Sequence, residues 1–215
     1  MTVLITCLET SFDRRLAKIF VREGYIVYTL DPTYVPGVKY LSTEPETAAA
    51  MLKDYIPKLD YLLDTTDYVD EDDDFELGEI DATVISRVFQ KNVLRPMSVL
   101  EAFLPLLDAG HGKRLFFVTS VAASINSYFD TIGYSYAMSK TALHQFIQMV
   151  HNRLAPNGYT IRLFDPMTAH LNDKISADSA FNYITRRRGT ENHDPRRDDE
   201  DNVVIRNALG RHIPW

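Results

Sequence analysis

The chain has 215 residues, of which 45% are apolar, enough for one well-packed core and too few to expect two domains. Its net charge of −7 argues against a nucleic-acid partner, because phosphate backbones are bound by concentrated basic surfaces. The single cysteine, Cys7, cannot form an internal disulfide, and no apolar run reaches the roughly 18 residues of a membrane helix. We therefore expect one cytoplasmic domain over residues 1–215 that binds neither nucleic acid nor membrane.

Short apolar strands alternate with longer helical patterns along the chain. The predicted strands are 2–6, 25–30, 38–41, 59–64, 114–119, 160–164 and 202–206, and the predicted helices are 12–23, 45–55, 80–107, 134–154 and 175–187. Strands that are apolar throughout and alternate with helices are typical of a parallel sheet covered on both faces. The sequence thus predicts an α/β fold with a doubly wound, mostly parallel sheet of about seven strands.

The first predicted turn, "TCLETSFDRR" at residues 6–15, leads from a strand into a helix as a nucleotide-binding βα unit does, yet it contains no glycine. Two charge-rich stretches, 67–76 and 186–202, are interpreted as solvated loops, with ion binding as the alternative. No metal-ligand residues are predicted.

The long helical pattern 80–107 contains Asn92 and Pro96. Proline has no N–H, so the carbonyl of Asn92 loses its intrahelical donor and the helix should kink there. A freed carbonyl beside a cleft can hold an ordered water. The alternative is a proline kink that only fits the core.

The helical pattern "YSYAMSKTALHQF" places Tyr136 and Lys140 four residues apart, on one helix face. A lysine ammonium beside a phenol lowers the phenol pKa from its usual value of about 10, which makes Tyr136 a usable general acid or base. Ser120 follows the strand 114–119, at the sheet edge where open α/β folds bind ligands, and its hydroxyl can hold a substrate oxygen. The alternatives are a chance Tyr–Lys pair and an ordinary serine at a strand end.

In order and spacing, these elements resemble the short-chain dehydrogenase/reductase family over residues 1 to about 170. The resemblance rests on "KNVLRP", "EAFLPLL", "FFVTS", "YAMSK" and "IRLFDPMT". It implies a Rossmann-like fold and a proton-relay tetrad of Asn92, Ser120, Tyr136 and Lys140. The implied reaction is hydride transfer between a nicotinamide cofactor and a carbonyl or alcohol carbon of a small-molecule substrate.

The resemblance also implies cofactor contacts at Tyr136, Lys140 and Thr168. A further contact is Asp31, which lies where the family's acidic residue binds the adenosine ribose and favours NAD over NADP. The alternative interpretation of Asp31 is a turn residue before Pro32.

The chain departs from the family where a backbone should approach the dinucleotide. Cys7, Ser11 and Asp13 replace the three glycines of the first turn, the family's N-N-A-G reads "DTTD" at 64–67, and Met167 replaces the glycine after the sixth-strand proline. Each replacement adds bulk, and Asp13 adds a charge that repels phosphate. Two alternatives to a dinucleotide-dependent enzyme therefore stay open. One is a cofactor-free enzyme of redox-neutral chemistry, like the dehalogenases of this fold, and the other is a binding subunit without catalysis.

The predicted helices 80–107 and 134–154 have more apolar positions than one core-facing stripe needs. Each helix has enough of them to contact both the sheet and a second copy of the chain. A homodimer or homotetramer is expected, with these positions at the contact: Val93, Met97, Leu100, Leu143, Phe146 and Met149. Residues 170–215 are the divergent, substrate-side segment. Within it we predict a short lid at 175–187 and Trp215 as an apolar plug.

Overall fold

The computed structural model describes residues 1–76, 78–186 and 202–215. Within these ranges one eight-stranded sheet has the order β3-β2-β1-β4-β5-β6-β7-β8, and all its pairs are parallel except β7 with β8. The strands are β1 (Thr2–Ile5), β2 (Ile26–Thr29), β3 (Val38–Tyr40), β4 (Tyr61–Asp64), β5 (Arg114–Val118), β6 (Thr160–Asp165), β7 (Ile205–Asn207) and β8 (His212–Ile213). The predicted fold class is confirmed, and the strand count differs because the antiparallel β8 was not expected.

The helices are α1 (Ser11–Arg22), α2 (Pro45–Tyr55), α3 (Ala82–Phe89), α4 (Arg95–Asp108), α5 (Tyr134–Leu154) and α6 (Asp173–Thr185). They cover both faces of the sheet, and the strand residues alternate between two cores. In β1, Leu4 joins the core under α2, α4 and α5, while Val3 and Ile5 join the core under α1 and α6. This alternation explains why the central strands are apolar throughout.

The predicted long helix 80–107 is divided by a π-helical turn, Gln90–Leu94, between α3 and α4. At its end the Arg95 N–H donates to the carbonyl of Gln90, five residues back, immediately before Pro96. A wider turn relieves the clash that a proline ring imposes on the preceding carbonyls. The disturbance predicted at Asn92 is therefore present as a π-helical turn.

The predicted lid at 175–187 is wrong. Helix α6 packs against α1 on one face of the sheet, and Ala177, Ala180 and Ile184 are fully buried in that core. Small alanines allow the two helices to approach closely, so this helix forms part of the core. Trp215 packs edge-on against His144 with ring centroids 5.2 Å apart and is 37% exposed.

The segment 67–76 differs from the solvated loop that its charges predicted. Asp70 and Asp73 are buried, and Arg87 of α3 binds both oxygens of the Asp70 carboxylate at 2.5 and 2.9 Å. Most of the second charged stretch, 187–201, lies outside the described residues.

Three of the positions expected at a homo-oligomer contact, Val93, Leu100 and Leu143, are buried inside the protein's own core, while Met149 is 62% exposed. The homo-oligomer itself stays a prediction. Among the described residues, no helix is both long enough and apolar enough to cross a bilayer.

Candidate active site

A cavity of about 450 Å³ opens where β5 and β6 end and the loop after β4 begins. Three residues predicted from the sequence line it: Ser120, Tyr136 and Thr168. Two acidic residues whose role was not anticipated, Asp67 and Asp165, line it as well. The cavity therefore lies at the carboxyl edge of the parallel sheet, where α/β folds bind ligands.

Tyr136 is held by the start of α5. Gly133 precedes the helix with φ +74°, a left-handed conformation that glycine adopts without steric cost. The buried carboxylate of Asp73 accepts hydrogen bonds from the N–H groups of Ser135 at 3.0 Å and Tyr136 at 2.9 Å. Asp73 thus satisfies two N–H groups that a helix start leaves without partners, and it fixes the turn that carries the phenol.

Lys140 lies one turn further along α5 and is fully buried. Its ammonium donates to the carbonyls of Thr66 at 2.9 Å and Val118 at 3.3 Å, and it forms an ion pair with Asp67 Oδ1 at 2.9 Å. These three acceptors account for all three N–H bonds of the ammonium.

The same oxygen, Asp67 Oδ1, accepts the Tyr136 hydroxyl at 2.7 Å. Burial raises the pKa of Tyr136 well above its usual value, the neighbouring Asp67 carboxylate raises it further, and a hydrogen bond with Ser120 offsets only part of the rise. The predicted lowering of this pKa by Lys140 is therefore wrong. The main reason is the burial of the phenol, and Asp67 adds to it because one of its oxygens bonds both Tyr136 and the Lys140 ammonium.

Ser120 follows β5, and its hydroxyl oxygen accepts the Ala122 N–H at 3.1 Å. Ser120 forms a hydrogen bond with Tyr136 and lies in the same cavity wall. The two hydroxyl groups that the sequence predicts will bind a substrate oxygen are therefore adjacent. The arrangement of Ser120 and Tyr136 can donate two hydrogen bonds to one oxygen.

Asn92 is fully buried and does not line this cavity. Its amide exchanges two hydrogen bonds with the backbone of Tyr68, at 2.8 and 3.0 Å, and donates to Ser139 Oγ at 3.1 Å. The side chain thus ties the loop after β4 to α5. The proposed role of its main-chain carbonyl in holding a water stays a prediction.

His144 lies a further turn along α5, and its Nε2 is 2.5 Å from the hydroxyl of the buried Thr119. Burial, together with the nearby Lys140 ammonium, lowers the pKa of His144 to about 4, so the imidazole is neutral at physiological pH. Tyr136, Lys140 and His144 therefore form one row on α5, with the neutral imidazole behind the ammonium.

Asp165 ends β6 and joins two loops of the cavity wall. Its carboxylate accepts the N–H of Met167 at 2.8 Å and that of Val121 at 3.2 Å, while burial raises its pKa and Asp67 adds to the rise. Met167 has φ +53°, so its backbone keeps a conformation that favours glycine although the residue is not one. Thr168 follows as an exposed residue at the cavity rim.

The glycine-free first turn is closed by its own side chains. Thr10 and Asp13 form a capping box at the start of α1, and Arg14 donates to the carbonyls of Leu8 at 2.9 Å and Glu9 at 2.6 Å. The Asp31 carboxylate accepts the Leu8 N–H at 2.8 Å and the Thr33 N–H at 2.8 Å. Asp31 thus serves in a turn, as its alternative interpretation held, and its contact with a ribose stays a prediction.

Acidic side chains crowd this turn. Burial raises the pKa of the buried Asp13 to about 7, against two lowering hydrogen bonds with Thr10, and Asp67 raises it further. Ligand atoms of Cys7, Glu9 and Asp31 lie within 4.8 Å of one another. Burial raises the pKa of the Cys7 thiol, so the thiol would have to lose its proton to bind a metal there.

The two ends of this cleft differ in how well they fit a dinucleotide. Tyr136 and Lys140 both donate to one oxygen, and a ribose hydroxyl oxygen could take the place of Asp67 Oδ1. The first turn, in contrast, already uses the N–H of Leu8 for Asp31 and that of Cys7 for Thr65 Oγ1. The residues at one end of the cleft therefore fit the nicotinamide ribose of a dinucleotide. At the other end, the start of α1, beside Asp13, is what remains to bind the pyrophosphate.

Comparison with known proteins agrees with this fold. The family model for short chain dehydrogenases matches residues 1–172. The chain is 36% identical over 90 residues to C-signal of Myxococcus xanthus, covering 42% of this chain and 54% of that protein. It is 32% identical over 135 residues to 1-hydroxy-2-glutathionyl-2-methyl-3-butene dehydrogenase of Rhodococcus sp. strain AD45, covering 62% and 58%. These matches span little more than half the length of either relative.

Among solved structures, a carbonyl reductase from Pseudomonas aeruginosa PAO1 in complex with NADP superposes with a TM-score of 0.78 at 18% identity, over 100% of this chain and 99% of that one. At this identity the likeness shows the fold. The fold and site define a Rossmann-like α/β protein with a cavity at the carboxyl edge of its parallel sheet. Because the family model covers four fifths of the residues, the chain belongs to the short-chain dehydrogenase/reductase family.

Proposed function

We propose that the protein is an oxidoreductase that interconverts a carbonyl and an alcohol, with Tyr136 as general acid and base. The observation that carries the proposal is that Ser120 and Tyr136 line one cavity, while the buried Lys140 reaches the same Asp67 oxygen as Tyr136. Ser120 and Tyr136 hold the substrate oxygen, and in the reduction direction the phenol gives its proton to that oxygen as negative charge develops there.

A nicotinamide cofactor would supply the hydride when bound. Tyr136 and Lys140 would hold its ribose, and Thr168 lies at the rim where the resemblance places a further contact. Structural neighbours of the same fold bind NADP, which supports a nicotinamide cofactor in this family. The preference for NAD that Asp31 suggested has no support from these neighbours.

The raised pKa of Tyr136 determines the protonation state of the phenol in the resting site. A phenol that stays protonated is ready to donate its proton, as the reduction of a carbonyl requires. For oxidation, the proton of the alcohol must pass to a phenolate, which the burial of Tyr136 disfavours.

The proposal is tested by following oxidation of NADH and NADPH by the purified protein across a panel of small carbonyl compounds. The Tyr136→Phe variant should lose at least about a hundredfold of the turnover, since a positioned general acid contributes that much. Tyr134→Phe is the matched control, because Tyr134 stacks on Phe75 with centroids 5.9 Å apart, outside the cavity. Equal turnover of Tyr136→Phe and wild type would disprove the role of Tyr136.

One observation favours a second candidate, a cofactor-free enzyme of redox-neutral chemistry. The donors for a ribose are engaged by Asp67, and the first turn is closed by Asp31 and Thr65. Turnover of an epoxide or halohydrin panel without any nicotinamide, lost in Tyr136→Phe, would identify this candidate. A homodimer or homotetramer is also proposed, and sedimentation of the purified protein as a monomer would contradict it.

A further inference from the structure

Asp67 stands where the family's N-N-A-G segment has its glycine, and its carboxylate occupies the central donors of the site. One oxygen, Oδ1, is 2.7 Å from the Tyr136 hydroxyl oxygen and 2.9 Å from Lys140 Nζ. A phenol has a single O–H to donate, and it is used here. The ammonium has three N–H bonds, and the other two are held by the backbone carbonyls of Thr66 and Val118.

Because every N–H and O–H of Lys140 and Tyr136 is already used, a ligand oxygen can accept from them only if one of the present acceptors moves away. Both carbonyls are main-chain groups: Val118 ends β5, and Thr66 follows β4 by two residues with its N–H bonded to Asp64 Oδ1 at 2.9 Å. The Asp67 side chain, in contrast, lies on the loop after β4 and is 26% exposed, so it has solvent on one side. Any hydroxyl oxygen that accepts hydrogen bonds from both Tyr136 and Lys140 must therefore displace Asp67.

Charge adds to this competition. The Asp67 carboxylate lies close enough to Asp13 and Asp165 to raise the pKa of each. A dinucleotide would bring the negative charge of its pyrophosphate towards the same acidic first turn. Removing the charge of Asp67 would thus relieve repulsion as well as release two donors.

We propose that Asp67 is an internal competitor for the nicotinamide ribose, so that cofactor binds only when this carboxylate leaves Tyr136 and Lys140. The inference rests on the proposed function, because it concerns the cofactor of that reaction. It assigns to Asp67 the control of cofactor affinity, and it explains how the site can keep its proton-delivering side chains while binding dinucleotide weakly. Asp67 is thereby a specificity-determining residue, and it takes no part in the chemical step.

The test is a calorimetric titration of NADPH into wild type, Asp67→Asn and Asp67→Gly. A hydrogen bond to a charged group contributes enough that the dissociation constant should fall by about tenfold or more in both variants. Asp72→Asn is the matched control, because it removes one negative charge from the same loop at a side chain that is 75% exposed. Its affinity should equal that of wild type.

Two variants are used so that the test still decides if one of them does not fold. Glycine is the family's residue at this position, and asparagine is nearly isosteric with aspartate. A thermal melt of each variant without cofactor identifies one that does not fold, and the other variant then decides. Tightening in the folded variant with none in Asp72→Asn supports the inference. Equal and measurable affinity in wild type and variants would overturn it and leave the proposed function standing. Absence of binding in all three would refute the proposed cofactor and, with it, the competition.

Discussion

Asp73 links the acidic loop to the helix that carries Tyr136, so its removal should affect both stability and activity. Its buried carboxylate accepts the N–H groups of Ser135 and Tyr136. Loss of a helix cap costs about 1–2 kcal/mol, and loss of a negative charge at a helix start adds about 1 kcal/mol more at a buried position such as this one. Asp73→Ala should therefore lower the free energy of unfolding by about 2–3 kcal/mol.

For a domain of this size, each kcal/mol corresponds to about 2–4 °C in Tm, so Asp73→Ala should melt about 4–12 °C below wild type. Asp73→Asn keeps one acceptor oxygen and should lose less than half as much. The measurement is urea unfolding followed by circular dichroism, with thermal melts alongside. Asp74→Ala, at the exposed neighbouring position, is the control and should stay within about 0.5 kcal/mol of wild type. A similar result for Asp73→Ala would refute the capping role.

Three further predictions concern charged groups. Because the folded pKa of Asp13, about 7, lies above its unfolded value near 4, wild type should lose stability as pH rises between these values. Urea melts of Asp13→Asn should give a flatter profile over that interval, and an equally steep one would contradict the prediction. Arg87→Ala leaves the buried Asp70 without its bidentate partner and should lower Tm more than Asp72→Asn does. Arg87 also holds the pKa of Asp70 well below its usual range. The stabilisation by this pair should therefore be lost progressively as pH falls below about 4, and an Arg87→Ala variant whose stability changes with acid pH as in wild type would refute this.

The sequence predicted those features that follow from local periodicity. The apolar strands, most helix positions and the row of Tyr136 and Lys140 on one face of α5 all depend on residues close together in the chain. The same is true of the disturbance before Pro96, which proline chemistry dictates. The fold class and the sheet edge at which the cavity opens therefore follow from the order of residues along the chain.

The features that the sequence did not predict depend on contacts between distant segments. The separation of Tyr136 and Lys140 in the helix predicts a lowered pKa for Tyr136, yet its burial, with Asp67 from a distant part of the chain, raises that pKa. Charge content suggested that 67–76 is solvated, but Asp70 and Asp73 find partners on α3 and α5. The one available signal was an aspartate at a position where the family has glycine.

The claim on which this account depends most is that Tyr136 delivers the proton from a neutral phenol whose pKa is raised, first of all by burial. The most direct measurement is the pH dependence of carbonyl reduction by wild type and Asp67→Asn, with saturating cofactor. The account predicts that both rates stay level from neutral pH to about pH 9 with one shared profile, because bound cofactor has already displaced the Asp67 carboxylate from Tyr136. A wild-type rate that falls near neutral pH would contradict it.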